Sequence, residues 1–477
     1  MQVSQQAVET AIFYKISLTE KMYSMQKNHH LVIGLGLTGL SCVRYLISKN
    51  RLVSVVDTRE NPPKLADCQK EFPNVKIHLG KFQESIFSQA DTLIVSPGMS
   101  LAEPCIVQCI EKNIPVMGDV ELFARDAKAP IVAITGSNGK STLTTLMGDI
   151  INNVGKKAII CGNIGLPVLE AMMQPTPDYY VVELSSFQLD TTYSLKAKVA
   201  VVINVSPDHM DRYATFNDYL ASKQRVYMNC ENAVVNFDEK NSWQDINFKN
   251  TVLQFTLNKP DKNQFGLYQN YLCHGDKKLI AVSDLILQER HNNQNYLAAL
   301  AMCFILKLPI ESVLNTLKKF SGLAHRCQLV KSENNIAWYN DSKATNVGAS
   351  IAAIESIAQR ATGRLILIAG GDSKGVDLDL LKLPVKQHVS HVILLGRDAP
   401  LLEAALLGCA EITCVRNMDE AVNTAKKMVQ PGDIVLLAPA CSSLDQYENY
   451  MARGDDFIKA VIGDQLSLIP DHKEHHD

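Results

Sequence analysis

Lys140 and Ser141 follow two closely spaced glycines in the run Ile134 to Thr142, ITGSNGKST, and these residue types at this spacing do one kind of chemistry well: they hold phosphate. Gly136 and Gly139 let the backbone curl so that N–H groups around Ser137 and Asn138 face phosphate oxygens. Lys140 adds a point charge, and the hydroxyl of Ser141, with Thr142 behind it, is offered to Mg²⁺. The loop departs from the G-x-x-x-x-G-K-[ST] pattern, because Ile134 stands at the first glycine's position and Gly136 comes only three residues before Gly139. The spacing still predicts a nucleoside triphosphate site.

Three further groups carry chemistry. Glu183, in VVELSSFQL, ends an apolar strand and is expected at the same sheet edge as the loop, where a carboxylate suits magnesium or caps the next helix. NVSPDHMDRY, Asn204 to Tyr213, places acids and His209 at one strand exit, with Lys223 on a helix soon after; His209 alone reads equally as a ligand or a hydrogen-bonded core residue. GLGLTG, Gly34 to Gly39, matches G-x-G-x-x-G and is trailed by Asp57, eighteen residues beyond Gly39, which on mechanics alone predicts a dinucleotide site. In the last third, HRCQ (325–328), NDSKATN (340–346), GGDSKG (370–375) and the segment from Ala440 are polar clusters beside apolar strands, a pattern that fits a ligand face.

The elements that must position these residues are short apolar strands alternating with helices. LVIGLG, LVSVVD, VKIHLG and TLIVSPG form a first set. IVAITG, KAIICGN, YYVVELS, VAVVINVS and NAVVNFD form a second, and RLILIAGG, HVILLG and DIVLLAPA a third. Such alternation predicts parallel βαβ units, hence an α/β protein of three domains, with boundaries near Gly118 and Leu323. A polar, Asn-rich stretch from about Glu239 to Asn270 and a helix around Asn295 to Phe304 lie between the second and third sets. Residues 1–28 read as a ragged leader, with Met22 or Met25 as alternative starts, and the tail DHKEHHD as a solvated end.

The 477 residues, 46% hydrophobic and 20% charged, exclude a single small module and wholesale disorder. A net charge of −3 supplies no general pull toward nucleic acid or anionic membrane. Twelve cysteines without C-x-x-C spacing argue against a zinc knuckle or disulfide framework and fit a reducing cytoplasm. No apolar run is long enough to span a bilayer.

GLGLTGLS, GSNGKST, GNIG, VELSSFQL, DHMDRY, HN with NQN, HRCQ, NDSKATN and SLDQ jointly resemble the Mur ligase family, in the family's order and from about Leu31 onward. The resemblance implies an N-terminal Rossmann-like domain over 29–118 that binds a UDP substrate, a central P-loop ATPase-like parallel sheet over 119–323, and a C-terminal Rossmann-like domain over 324–477 for the amino acid. It implies ATP-dependent amide formation through an acyl phosphate, joining D-glutamate to UDP-N-acetylmuramoyl-L-alanine, by a monomer that needs no nucleic acid. Leu37, Thr38, Asp57, Thr58, Arg59, Ser96, Gly98, Asn163, Ser185, Gln188 and His209 resemble UDP-substrate contacts. ATP would meet the loop 136–142, Asn292 and Asn295, with Arg326, Asp341 and Lys343 closing over it. Two Mg²⁺ ions would use Ser141, Glu183, His209 and Lys223, the lysine carbamylated by CO2 into an anionic ligand. Thr345, Lys374, Ser443 and Tyr450 align with the D-glutamate pocket, although a phenylalanine is familiar where Tyr450 stands. Lys140, Lys223, His209 and Arg326 are the catalytic expectation.

Two rivals remain on the residues alone. A nicotinamide-dependent dehydrogenase accounts for Gly34, Gly36, Gly39 and Asp57 but leaves ITGSNGKST unexplained, and a noncatalytic nucleotide switch would bind without turnover. A folylpolyglutamate synthase would share the shortened phosphate loop but not the GLGLTG domain.

Overall fold

The computed structural model describes residues 29–463 apart from Pro207, Met210, Asp211, Glu289 and Lys374. The expectations for the leader and for the histidine-bearing tail fall outside the described residues. Clustering of contacts divides the chain between Phe320 and Ser321 into two compact units.

The first unit holds two sheets. β1 (His29–Ile33), β2 (Leu52–Asp57), β3 (Lys76–Leu79), β4 (Thr92–Val95) and β5 (Val116–Met117) lie parallel in the order β3-β2-β1-β4-β5. Alternate side chains leave opposite faces, so Leu31 and Ile33 pack into one core and Val32 into another. The strand order reverses between β1 and β4, and the crevice at such a reversal is where α/β sheets bind ligands. The helix Leu37–Ser48 leaves β1 at so close an approach that a Cβ on Gly39 would stand 1.9 Å from the Gly34 carbonyl oxygen. Only glycine fits there.

The second sheet contains β6 (Ile131–Thr135), β7 (Ala158–Gly162), β8 (Tyr179–Glu183), β9 (Ala197–Val202), β10 (Ala233–Asn236), β11 (Val252–Thr256), β12 (Gln264–Tyr268), β13 (Tyr271–His274) and β14 (Lys277–Ala281). Their order is β14-β13-β12-β11-β10-β9-β6-β8-β7, parallel from β7 to β12 and antiparallel through β13 and β14. The Asn-rich stretch therefore carries strands that its polar composition hides. β12 and β13 are joined by Gln269 and Asn270, both left-handed at φ 49° and 60°, as a two-residue hairpin turn requires.

The sheets of this unit are tied through the helix Asp119–Asp126, which follows β5. Glu121, wholly buried, accepts hydrogen bonds from the Tyr193 and Ser194 N–H groups at 2.7 and 2.9 Å and from the Ser194 hydroxyl at 2.9 Å, and pairs with Arg125 at 2.6 Å.

The second unit is built on β15 (Gln328–Glu333), β16 (Ile336–Asn340), β17 (Leu365–Gly370), β18 (Val389–Leu395), β19 (Glu411–Cys414) and β20 (Ile434–Leu437), in the order β15-β16-β20-β17-β18-β19. All neighbours are parallel except β15 and β16, a hairpin turning at left-handed Asn334 and Asn335. None of the twelve cysteines is in a disulfide. Among the described residues no helix is long and apolar enough to cross a membrane.

Candidate active site

The β6 strand leads into the glycine loop 136–139. Ile134 pairs with Glu183 of β8 and Thr135 with Val202 of β9, so three strand ends meet at one edge. Gly136 (φ 156°) and Gly139 (φ 80°) adopt conformations that glycine supplies, and the helix Lys140–Asn153 begins with no side-chain cap and no acid in its first turn. An uncapped helix start of this kind is suited to an anion. Asn204 braces the loop: its side-chain oxygen accepts from Asn138 N at 2.8 Å, and its backbone carbonyl accepts from Ser137 N at 2.9 Å. Lys140 Nζ curls back to donate to the Gly136 and Ser137 carbonyls, each at 2.9 Å.

The Asn295 side chain packs beneath Gly139, and a Cβ at that glycine would lie 2.6 Å from Asn295 Oδ1. Gly139→Ala therefore meets both an unfavourable φ and a steric block. We expect a stability loss of roughly 1 kcal/mol or more and weakened nucleotide binding, readable by thermal denaturation and calorimetric ATP titration.

Lys223 ends up buried on the helix Phe216–Gln224, donating from Nζ to the Gly136 carbonyl at 2.8 Å and lying 4.6 Å from the Tyr219 ring centroid. Burial, reinforced by the Lys140 charge, pushes its ammonium down to about 7 against the opposing pull of Asp208, Asp190 and Glu183. Glu183 is also buried. Its Oε1 accepts from Asn163 Nδ2 at 2.7 Å, and among the described residues its Oε2 has no hydrogen-bond partner. It does not cap the following helix; Ser185 does, in a capping box with Gln188. His209 is exposed in a left-handed conformation (φ 55°), its ring 4.9 Å from Phe187 and its Nε2 3.5 Å from Asp208. Among the described residues no three His, Cys, Asp or Glu side chains gather as a cation cage.

The edge of the first sheet places Leu37 and Thr38 after β1, Asp57 to Arg59 after β2, and Ser96 and Gly98 after β4, all at the strands' C-terminal ends. Asp57 differs from a ribose-holding carboxylate. Its oxygens accept from Leu35 N at 2.7 Å and from the Arg59 guanidinium at 2.6 and 2.8 Å, so it fixes the glycine loop and Arg59. These bonds hold its carboxyl below the usual range despite burial. Arg212 straps the 204–213 segment to this edge, donating to the Gly98 and Met99 carbonyls at 3.3 and 2.9 Å while stacking 4.5 Å from the Phe187 ring. A small surface cleft lies among Ser96, Met99, Phe187, Asp190 and Arg212. Burial raises the Asp190 carboxyl to about 6, and the Tyr213 hydroxyl donates to it at 2.8 Å.

In the second unit, β16, β20 and β17 are parallel, so the segments 341–345, 438–443 and 371–373 emerge at one edge and bring Thr345 and Ser443 there. Lys374 lies outside the described residues. Tyr450 opens the helix Tyr450–Ile462, and Lys343 Nζ lies 5.5 Å from its ring. Burial pushes the Asp341 carboxyl up to about 6, with the Cys327 thiol 3.6 Å from its Oδ2, and Arg326 is exposed beside them. Arg453, buried, rivets the strand exits together: it donates to Ser342 Oγ at 3.0 Å and to the carbonyls of Ser342, Gly370 and Cys441 at 2.9 to 3.3 Å.

Along the sequence, residues 28–118 match the Mur ligase MurD-like N-terminal domain, 134–303 the Mur ligase middle domain, and 325–441 the Mur ligase glutamate ligase domain. A Coxiella burnetii (strain Dugway 5J108-111) protein named UDP-N-acetylmuramoylalanine--D-glutamate ligase is 48% identical over 435 residues, covering 90% of this chain and 98% of its own. The chain belongs to the Mur ligase family. Proteins of the same name from Pseudomonas aeruginosa and Nitrosococcus oceani are 46% and 44% identical, each over 90% of this chain and 97% and 96% of their own lengths. The UDP-N-acetylmuramate-alanine ligase MurC of Thermotoga maritima, 16% identical, shares the fold with a TM-score of 0.50 over 91% of this chain and 99% of its own.

Mur ligases use ATP and Mg²⁺, and the residues present fit both. The uncapped helix start is suited to a phosphate, and the buried Glu183 oxygen beside the loop, without a hydrogen-bond partner among the described residues, is a group a divalent cation would satisfy. Sequence reasoning missed Asn204, Phe187 and Arg212 although they sit inside the quoted motifs, because an amide, a ring and a guanidinium there carry no metal or phosphate signature. Tyr219 and Arg453 lie on helices and are recognisable only once the fold brings Lys223 and the strand exits to them.

Proposed function

We propose that this Mur ligase joins D-glutamate to UDP-N-acetylmuramoyl-L-alanine in the cytoplasm, as a step of peptidoglycan precursor synthesis. What carries the reading is likeness along 90% of the chain to relatives that bear that enzyme's name. The domains over 29–118, 119–323 and 324–477 would bind the UDP substrate, ATP and D-glutamate respectively.

ATP with Mg²⁺ supplies the phosphoryl group that converts the substrate's carboxylate into an acyl phosphate, which the D-glutamate amine attacks to form the amide. Two anions must approach for that transfer, so the protein's task is charge cancellation and alignment. Lys140 and the loop N–H groups would hold the phosphates, Asn292 and Asn295 the nucleotide, and Arg326, Asp341 and Lys343 would complete its grip. Ser141, Glu183, His209 and a carbamylated Lys223 would hold two magnesium ions. The β1, β2 and β4 exits, with Asn163, Ser185 and Gln188, would orient the UDP substrate. Thr345, Lys374, Ser443 and Tyr450 would receive the amino acid, with hydroxyls and a cation matched to two carboxylates.

Phosphate release from ATP should require UDP-N-acetylmuramoyl-L-alanine and D-glutamate together, with one new amide formed per phosphate. L-Glutamate, L-lysine, meso-diaminopimelate or no amino acid should give none. Turnover with another of these acceptors alone would move the chain to a sister ligase.

A further inference from the structure

Arg326 sits on a corner with two local bonds, His325 N donating to Gln328 Oε1 at 3.0 Å and Arg326 N to the Leu323 carbonyl at 3.3 Å, and with longer-range ties beside them. The residues on either side of it, His325 and Cys327, are both left-handed, at φ 61° and 42°, and neither is glycine. Three ties run from this corner to the end of β16 and the segment that follows it. The Asn340 amide meets the His325 ring, Cys327 Sγ lies 3.6 Å from Asp341 Oδ2, and Lys343 N donates to the His325 carbonyl at 3.0 Å.

The Asn340 tie is directional. Its Oδ1 accepts from Ser342 N at 3.0 Å, which fixes the amide's orientation because a backbone N–H can only donate. Its Nδ2 then supplies one proton to the Gly454 carbonyl at 3.1 Å and the other to His325 Nδ1 at 3.0 Å. His325 Nδ1 is therefore an acceptor and the ring proton resides on Nε2, which faces Asp455 Oδ1 at 3.6 Å. The ring lies against Gly454 so closely that a Cβ there would stand 2.1 Å from Nδ1. Asn340 is wholly buried, and His325 nearly so.

We propose that Asn340 is a positioning residue for Arg326: by fixing the tautomer and orientation of the His325 ring, it holds the left-handed corner that presents the guanidinium. The proposal rests on the reading of Arg326 as part of the ATP grip. Asn340→Asp keeps the shape but replaces the donor by an acceptor, so the His325 proton should move to Nδ1, visible in imidazole ¹⁵N shifts assigned with a His325→Gln variant. Asn340→Ala should lower kcat at least tenfold in the wild-type background and less than twofold in an Arg326→Ala background. Losses that multiply across the two backgrounds, or a proton that stays on Nε2 in Asn340→Asp, would overturn the proposal. Full activity of Arg326→Ala would instead overturn the reading of Arg326 and, with it, the purpose assigned to Asn340.

Discussion

Lys223→Ala should lose about 1,000-fold or more in kcat while keeping the circular dichroism of the wild type. The amine is buried against the Gly136 carbonyl, and burial with the neighbouring Lys140 charge brings it down to about 7. An ordinary lysine is almost entirely ammonium at neutral pH, whereas here a large fraction is the free amine that CO2 requires. The sign follows: as pH rises through about 7 the neutral amine accumulates and the carbamate should become easier to form, and below that it should be lost. Enzyme equilibrated in CO2-free buffer should lose activity and recover it with bicarbonate. A short-chain carboxylic acid should partly restore Lys223→Ala by placing an oxygen anion in the vacated space, but not Lys223→Met, whose side chain fills it. Unchanged activity in Lys223→Met would end the carbamate reading.

Lys140→Ala should reduce acyl phosphate formation by about 1,000-fold with little change in thermal stability. Lys140 is only partly buried and bonds two carbonyls of its own loop, one of which keeps its bond from Lys223 Nζ when Lys140 is removed. The substitution also removes the cation that repels the Lys223 ammonium, so that group should titrate higher than in the wild type. Observing the kinetic loss without the Lys223 shift would mean that the two amines are not electrostatically coupled.

The apolar strands of the parallel sheets were legible because residues buried on both faces leave an unbroken hydrophobic run, as in IVAIT and LILIA. β11 to β15 and β19 were not, since half-exposed or polar residues interrupt them, and the hairpins turn on Gln269–Asn270 and Asn334–Asn335 without glycine. The glycine turn from β6 into the helix that starts at Lys140 was legible because its spacing is local. Asp57 was legible in position but not in partner: nothing in the spacing shows that Leu35 N and Arg59 claim its oxygens. The Arg326 corner was not legible, since the left-handed backbone at His325 and Cys327 is braced in part from Asn340, Asp341 and Lys343, more than ten residues away.

The unpaired cysteines give the molecule its own reporters of partial opening. Cys42, Cys68, Cys105 and Cys109 are sealed around the first sheet, Cys161, Cys273 and Cys303 around the second, and Cys441 in the second unit, whereas Cys414 is exposed. Burial lifts their thiols above the usual range, which suppresses the reactive thiolate until the surrounding layer parts. Timed alkylation followed by peptide mapping would thus clock the breathing of each sheet separately. Substrates that quiet one set of thiols and not the others would reveal which layer each of them steadies.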